Sequence, residues 1–314
     1  MKSLNLKTIS CNLLVLTFPL LSLVVLGANI AAAGEIAPPV SEPSPPPDEN
    51  SRDLFATETL YTFGSDFRDD NGKLGHEDSV YNDFSYDHRF LITGKWYFRA
   101  GIEYERFDFG GTDNGLPDHL QSFFGHLALE YIVHDHAGAG IEIEPGAYFQ
   151  DNITGDSIDV PWRIFVSIPI KSDKVFAVFG VGGALYQHPP VAPGGGIIWL
   201  ISDKLRLDGV FPRPALVYDL NDDWEFRAQG NFFYESFRTD DVFTNEKKIQ
   251  LHDAIVQYNE DRVGLQAEFK GIRHVNIVGG AGCTVFREFD FFRADRRAKL
   301  DPAPYLQLAL EARF

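Results

Sequence analysis

The chain has 314 residues, a formal charge of −17 and a pI near 4.9. That balance excludes a nucleic-acid surface, which needs a basic stripe. Aromatic residues make up 14% of it and 27 residues are Phe, a heavy apolar load for so acidic a chain.

Lys2 and Lys7 precede an apolar run from Leu13 to Leu26, and Ala31-Ala32-Ala33 follows. Positive, apolar and small residues in that order predict a secretory signal peptide over 1–33. The run is too short for a spanning helix and contains Pro19. Cys11 lies inside this leader, so Cys283 is expected to stand alone in the exported chain, with no internal disulfide. Residues 34–53 include PPVSEPSPPPDENS and read as an extended, Pro-rich periplasmic linker. The folded domain is expected over 54–314.

No later segment is apolar enough for a spanning helix. Two-residue alternation recurs instead. In KWYFRAGIEYERF, Trp96, Phe98, Ala100, Ile102 and Tyr104 share one face, and Arg99, Glu103 and Glu105 the other. GAGIEIEPGAYFQ, DDWEFRAQGNFFYE and DRVGLQAEFK repeat the pattern. Strands are predicted at 54–63, 79–92, 95–108, 120–133, 138–149, 160–170, 174–187, 191–202, 204–211, 214–220, 223–238, 255–270, 274–289 and 304–314. Two-faced strands of about ten residues are the pattern of a membrane barrel, lipid on one face and lumen on the other. The connections alternate. Long loops are expected at 64–78, 109–119, 150–159, 239–254 and 290–303, with short turns between. That parity holds only if the chain reverses at Phe211-Pro212-Arg213-Pro214, where two residues that cannot donate to a ladder favour a turn. The fold class is therefore all-β: a transmembrane antiparallel up-and-down β-barrel of about 14 strands, or 12 if one hairpin is miscounted. Trp96, Trp162, Trp199 and Trp224 fall at strand ends, where an indole suits a lipid–water boundary.

The sequence finishes PYLQLALEARF, with Leu306, Leu308, Leu310, Ala312 and Phe314 on one face. This tail resembles that of bacterial outer-membrane barrel proteins, although Ala312 stands where they usually carry an aromatic. The resemblance implies the bacterial outer membrane as location. It also implies that Leu306, Leu308, Leu310 and Phe314 form the signal read by the barrel-assembly machinery, on a strand that closes against the first. VFPRPALVYDLNDDWEFRAQGNFFYESFR, residues 210–238, is similar to a segment of a family of uncharacterised outer-membrane barrel proteins, which brings no activity with it.

The polar faces predict a lumen lined by Arg99, Glu103, Glu105, Glu130, Glu142, Glu144, Arg163, Arg227, Arg262, Glu268, Glu311 and Arg313. Acids outnumber bases, so an open pore would favour cations. The same charges could instead pair across the wall and plug it. No catalytic, cofactor or metal site is expected. GVGGAL lacks the third glycine and the following helix of a dinucleotide loop, and His134 and His136 lack a third ligand. A barrel-wall hydrolase would need Ser122 within reach of His126. The expected function is a passive, porin-like channel for small polar solutes with mild cation preference, and not an enzyme. The alternative is a closed structural or surface-interaction barrel acting through its outer loops. Expected partners are outer-membrane lipid, lipopolysaccharide and the assembly machinery.

Overall fold

A computed structural model describes residues 51–69, 72–110, 116–133, 137–171, 174–240, 242–244 and 249–314. The leader and residues 34–50 lie outside them. Alternating side chains separated by turn residues give a closed antiparallel barrel of 14 strands. In chain order they are β1 (Ser51–Asp69), β2 (Gly72–Thr93), β3 (Trp96–Phe109), β4 (His119–Val133) and β5, which runs Ala137–Ile143 and resumes at Gly146–Phe149. Next come β6 (Trp162–Lys171), β7 (Val175–Gly183), β8 (Val191–Ser202), β9 (Leu205–Val210) and β10 (Ala215–Asn221). The last four are β11 (Trp224–Arg238), β12 (Ile255–Ile272), β13 (Val275–Phe291) and β14 (Ala303–Arg313).

Each strand pairs with its sequence neighbours, and β14 returns to β1 in register from Leu54↔Arg313 to Thr62↔Tyr305. Closure matters because a backbone group left unpaired in hydrocarbon costs several kcal/mol. The wall therefore has 14 strands rather than 12. It also starts earlier than expected: Ser51 to Asp53 belong to β1, not to the linker, and Asp53 and Phe314 exchange backbone hydrogen bonds of 3.0 and 2.9 Å. Tight turns lie at the end where the termini meet. At Thr93-Gly94-Lys95 the glycine takes a left-handed φ of 59°, which a side chain would resist.

The outside of the wall is apolar. Ile102, Phe123, Leu129, Ile141, Ile164, Ile168, Leu265 and Leu308 are all exposed, while their strand neighbours Glu105, His126, Glu142, Arg163, Gln266 and Glu268 are buried. In water this arrangement would be inside out; in a bilayer both faces are matched to their surroundings. Trp96, Trp199 and Trp224 are exposed near strand ends on the side of the tight turns. The protein is a transmembrane β-barrel of the outer-membrane type.

The wall is uneven. β9 and β10 have 6 and 7 residues, short of the 9–11 or so that a strand needs to cross the hydrocarbon. Their connection at Phe211–Pro214 therefore sits partway down the wall. Phe211 N–H bonds Gly195 O at 3.1 Å, and Phe232 N–H bonds Pro212 O at 3.0 Å. Above it the sheet closes by a shortcut. Arg238 of β11 pairs in parallel with Phe149 of β5, and Gln150 N–H bonds Arg238 O at 2.9 Å, bypassing β6 to β10. The long strands thus form a narrower outer ring. Its connections carry more structure than expected of loops. The 64–78 stretch continues the β1–β2 ladder out to Asp69↔Gly72. The 239–254 stretch holds a small hairpin, Val242–Thr244 against Ile249–Leu251. In 290–303, Arg296–Leu300 pairs with β13 and β1.

Inside the outer ring lies a packed aromatic core. Phe107 on β3 stands 4.6 Å from the ring of Tyr81 on β2, 4.9 Å from Phe233 on β11 and 5.0 Å from Tyr258 on β12. Phe109 meets Phe289 on β13 at 4.9 Å. Leu60, Leu120, Phe237, Val256 and Leu300 complete it. Cys283 is buried on β13; the other cysteine of the sequence, Cys11, lies outside the described residues.

Candidate functional site

Below the aromatic core the interior changes character. Successive strands place carboxylates and arginines at alternate positions, so they converge inward at one level. Arg99 on β3 reaches Glu142 on β5 at 3.0 Å, Glu130 on β4 at 3.0 Å and Asp87 on β2 at 3.4 Å. Arg163 on β6 binds Glu142 at 2.7 Å and Glu144 at 3.1 Å. His126 on β4 lies between Glu103 at 2.9 Å and Asp87 at 3.3 Å. The chain of charges spans β2 to β6, and each guanidinium is shared, which offsets the desolvation that a single buried pair would suffer. A second network lies at the end with the tight turns. Arg227 on β11 bridges Glu225 at 2.5 Å and Glu268 at 2.7 Å, and Lys270 binds Glu225 at 2.5 Å. Arg262 binds Glu260 at 3.1 Å, lies 3.7 Å from Glu58 and places its guanidinium 5.6 Å from the Tyr81 ring centre. Arg313 pairs with Glu311 at 3.1 Å.

Between the networks and the aromatic core is a cavity of about 280 Å³. Of the expected lumen residues, Arg99, Glu103, Glu105, Glu144, Arg163 and Glu311 line it. Glu130, Glu142, Arg227, Arg262, Glu268 and Arg313 are instead placed in the ion-pair networks around it. Five acids absent from the expected set, Glu58, Asp83, Asp87, Asp159 and Glu235, are also on the cavity wall. Alternation could have found Asp83 and Asp87, but Asn82 and His88 blur the apolar side of β2. Glu235 lies in FFYESF, where both faces carry aromatics.

One side of the cavity is formed where the wall is short. Arg213, from the β9–β10 connection, and Ala184 and Gln187, from the β7–β8 connection, belong to its lining. That second connection folds inward. Asp159 accepts the backbone N–H groups of Leu185 and Tyr186 at 2.9 and 3.1 Å, and Gln257 Oε1 on β12 accepts that of His188 at 2.9 Å. Two carboxylate oxygens of the lining, Asp83 Oδ1 and Glu235 Oε2, are buried without a hydrogen-bond donor. The Ser122 hydroxyl donates to Glu105 at 3.0 Å while both nitrogens of His126 face carboxylates, so these two do not form a nucleophile–base pair.

No family model and no curated protein matches the sequence. Solved structures similar to the chain include an outer-membrane channel from Pseudomonas putida F1, at 9% identity and a TM-score of 0.47, over 86% of this chain and 99% of that one. The Pseudomonas putida toluene transporter TodX is similar at 9% identity and a TM-score of 0.40, over 90% and 94% of the two chains. The Escherichia coli outer-membrane protease OmpT is similar at 10% identity and 0.30, over 85% and 98%. A likeness this distant, spread over channel, transporter and protease, does not choose an activity.

Proposed function

We propose that the protein is a bacterial outer-membrane channel barrel for small polar solutes, with a preference for cations, whose resting state is shut at the outer end. The interior cavity carries this reading. A barrel with a purely structural duty gains nothing from a void edged by Asp83 Oδ1 and Glu235 Oε2, since each buried acceptor left without a donor costs about 1–3 kcal/mol. Such groups are kept where something is bound or passed. On this reading the solute meets Glu103, Arg99 and Glu144 inside, and the acid excess favours positive charge. Leu306, Leu308, Leu310 and Phe314 serve assembly by the barrel machinery, and lipid and lipopolysaccharide surround the finished wall.

The packing of Phe107, Phe233, Tyr258 and Phe289 across the barrel favours a second reading, the closed structural or surface-interaction barrel. Planar-bilayer recording separates the two. The channel reading expects brief, cation-selective steps from wild type and longer ones from Phe233→Ala, which opens the seal without touching the acid lining's charge. Silence from both proteins, each shown to be folded and inserted, leaves the closed barrel.

A further inference from the structure

We infer that the interior cavity is a binding site for a small organic cation, an ammonium or guanidinium group carried on an apolar or aromatic body. The inference rests on the channel reading only for its biological use; the binding chemistry follows from the cavity itself.

Carboxyl groups on the cavity wall outnumber arginines, and they divide into two sets. One set is matched: Asp87 by Arg99 and His126, Glu144 by Arg163, and Asp159 by backbone amides. Toward β2, β3 and β11 the matching is partial: His126 holds Glu103 at 2.9 Å, and Tyr81 and Ser122 donate to Glu105 at 2.7 and 3.0 Å. Asp83, Glu103 and Glu105 bring one oxygen each to within 4.8 Å of one another. Asp83 Oδ1 and, from the opposite strand β11, Glu235 Oε2 are buried acceptors with no donor. Two donorless acceptors on facing strands are what a bound donor would satisfy. An ammonium supplies three N–H groups and a guanidinium five, so either could serve both oxygens and still reach a third.

The void is too large for a bare ion. About 280 Å³ is many times the ~30 Å³ share of one water in the liquid. Six aromatic side chains also line it: Tyr81, Phe124, Tyr148, Phe232, Phe233 and Tyr234. Ring faces attract cations and shelter apolar bodies, so acid on one side and aromatic faces on the other select an amine with a hydrocarbon part over a hydrated metal or a neutral sugar. An anion is disfavoured by the same acids. Arg213 stands on the short side of the wall, where its charge acts on Asp83 and leaves the other acids of the lining in excess.

The test uses the full chain folded in detergent, with 2-phenylethylamine as the probe and 3-phenylpropionate and 2-phenylethanol as negatively charged and neutral partners of similar shape. Calorimetric titration is expected to show binding of the amine alone. Asp83→Asn and Glu235→Gln should each weaken it about tenfold or more, the loss of one charge-assisted hydrogen bond. Asp208→Asn, outside the cavity lining, should leave it unchanged, and heat-modifiability on gels checks that each variant is folded. Equal binding of the three probes, no amine binding, or amine binding indifferent to both cavity variants overturns the inference. So does calcium binding that the amine cannot displace, since the site would then belong to a metal. Uptake into proteoliposomes separates the two proposals. Amine binding without passage removes the channel and keeps the site; passage of solutes without amine binding does the reverse.

Discussion

The region around Phe107 and the region around Arg99 are built by the same strands, yet they are filled by opposite chemistry. Phe107 and Arg99 lie eight residues apart on β3, an even spacing that turns both inward. At the level of Phe107 the wall narrows, because β5 and β11 join directly at Phe149 and Arg238, and rings from β2, β3, β11, β12 and β13 meet across the axis. At the level of Arg99 the wall takes in β6 to β10 as well, and charges shared between neighbouring strands leave a void in the middle. A narrow ring can be packed like a soluble core. A wide one can be filled only by long side chains, and those that survive beside water in a lumen are charged. Aperture decides which chemistry fills the interior.

Substitutions can break either region and so sharpen the contrast. The largest expected effect is Phe107→Ala. Phe107 is 1% exposed, and truncating it should cost about 3–5 kcal/mol, read as a shift of the urea unfolding midpoint in lipid vesicles. The same substitution should lengthen channel openings, because it thins the seal. Arg163→Ala comes next. It leaves Glu142 and Glu144 short of a partner, and removing one member of a buried ion pair costs about 3–5 kcal/mol, reduced here because Arg99 still holds Glu142. Replacing Arg163 and Glu144 together by Met should restore much of that loss; a double variant no more stable than the single one would argue against a tight pair. Leu308→Arg tests the outer surface. Leu308 is 62% exposed, and an arginine near mid-membrane should cost about 2–4 kcal/mol in vesicles. A cost near zero would mean that this face meets water. The smallest effect belongs to Tyr61→Phe, which removes a 2.7 Å hydrogen bond to Asp78 at the outer rim and should cost about 0.5–1.5 kcal/mol by the same unfolding assay.

Much of the wall could be read from the sequence because a membrane barrel obeys a local rule. Lipid on one side and lumen on the other impose alternation strand by strand, and tight turns need their own residues, as at Thr93-Gly94 and Asn221-Asp222. A count of 14 strands, with 12 left open, and the reversal at Phe211–Pro214 followed from those patterns and from parity, and the pairing of the last strand with the first from the resemblance of the tail. The outward positions of Leu306, Leu308 and Leu310 followed too. The outer hairpins were less legible. FRDDNGKLGHED has the composition of a loop, and its pairing out to Asp69↔Gly72 comes from extending an existing ladder rather than from a pattern of its own.

The interior divides in the same way. That Arg99, Glu142 and Arg163 face inward is a matter of period. Which inward groups meet depends on register and stagger between strands, so the sharing of Glu142 by Arg99 and Arg163 was invisible until the sheet was closed. The aromatic seal was hidden for a stronger reason. Phe107, Phe233 and Tyr258 sit on the polar side of their strands and belong to segments far apart in sequence, where alternation alone reads them as exceptions. By itself the amino-acid order determined a membrane-spanning sheet, its direction and its two faces, because solvent acts on each residue locally. Whether the space inside that sheet is open, packed or left as a cavity was decided only by the tertiary structure, since it depends on how far strands rise and where they close, which no single strand encodes.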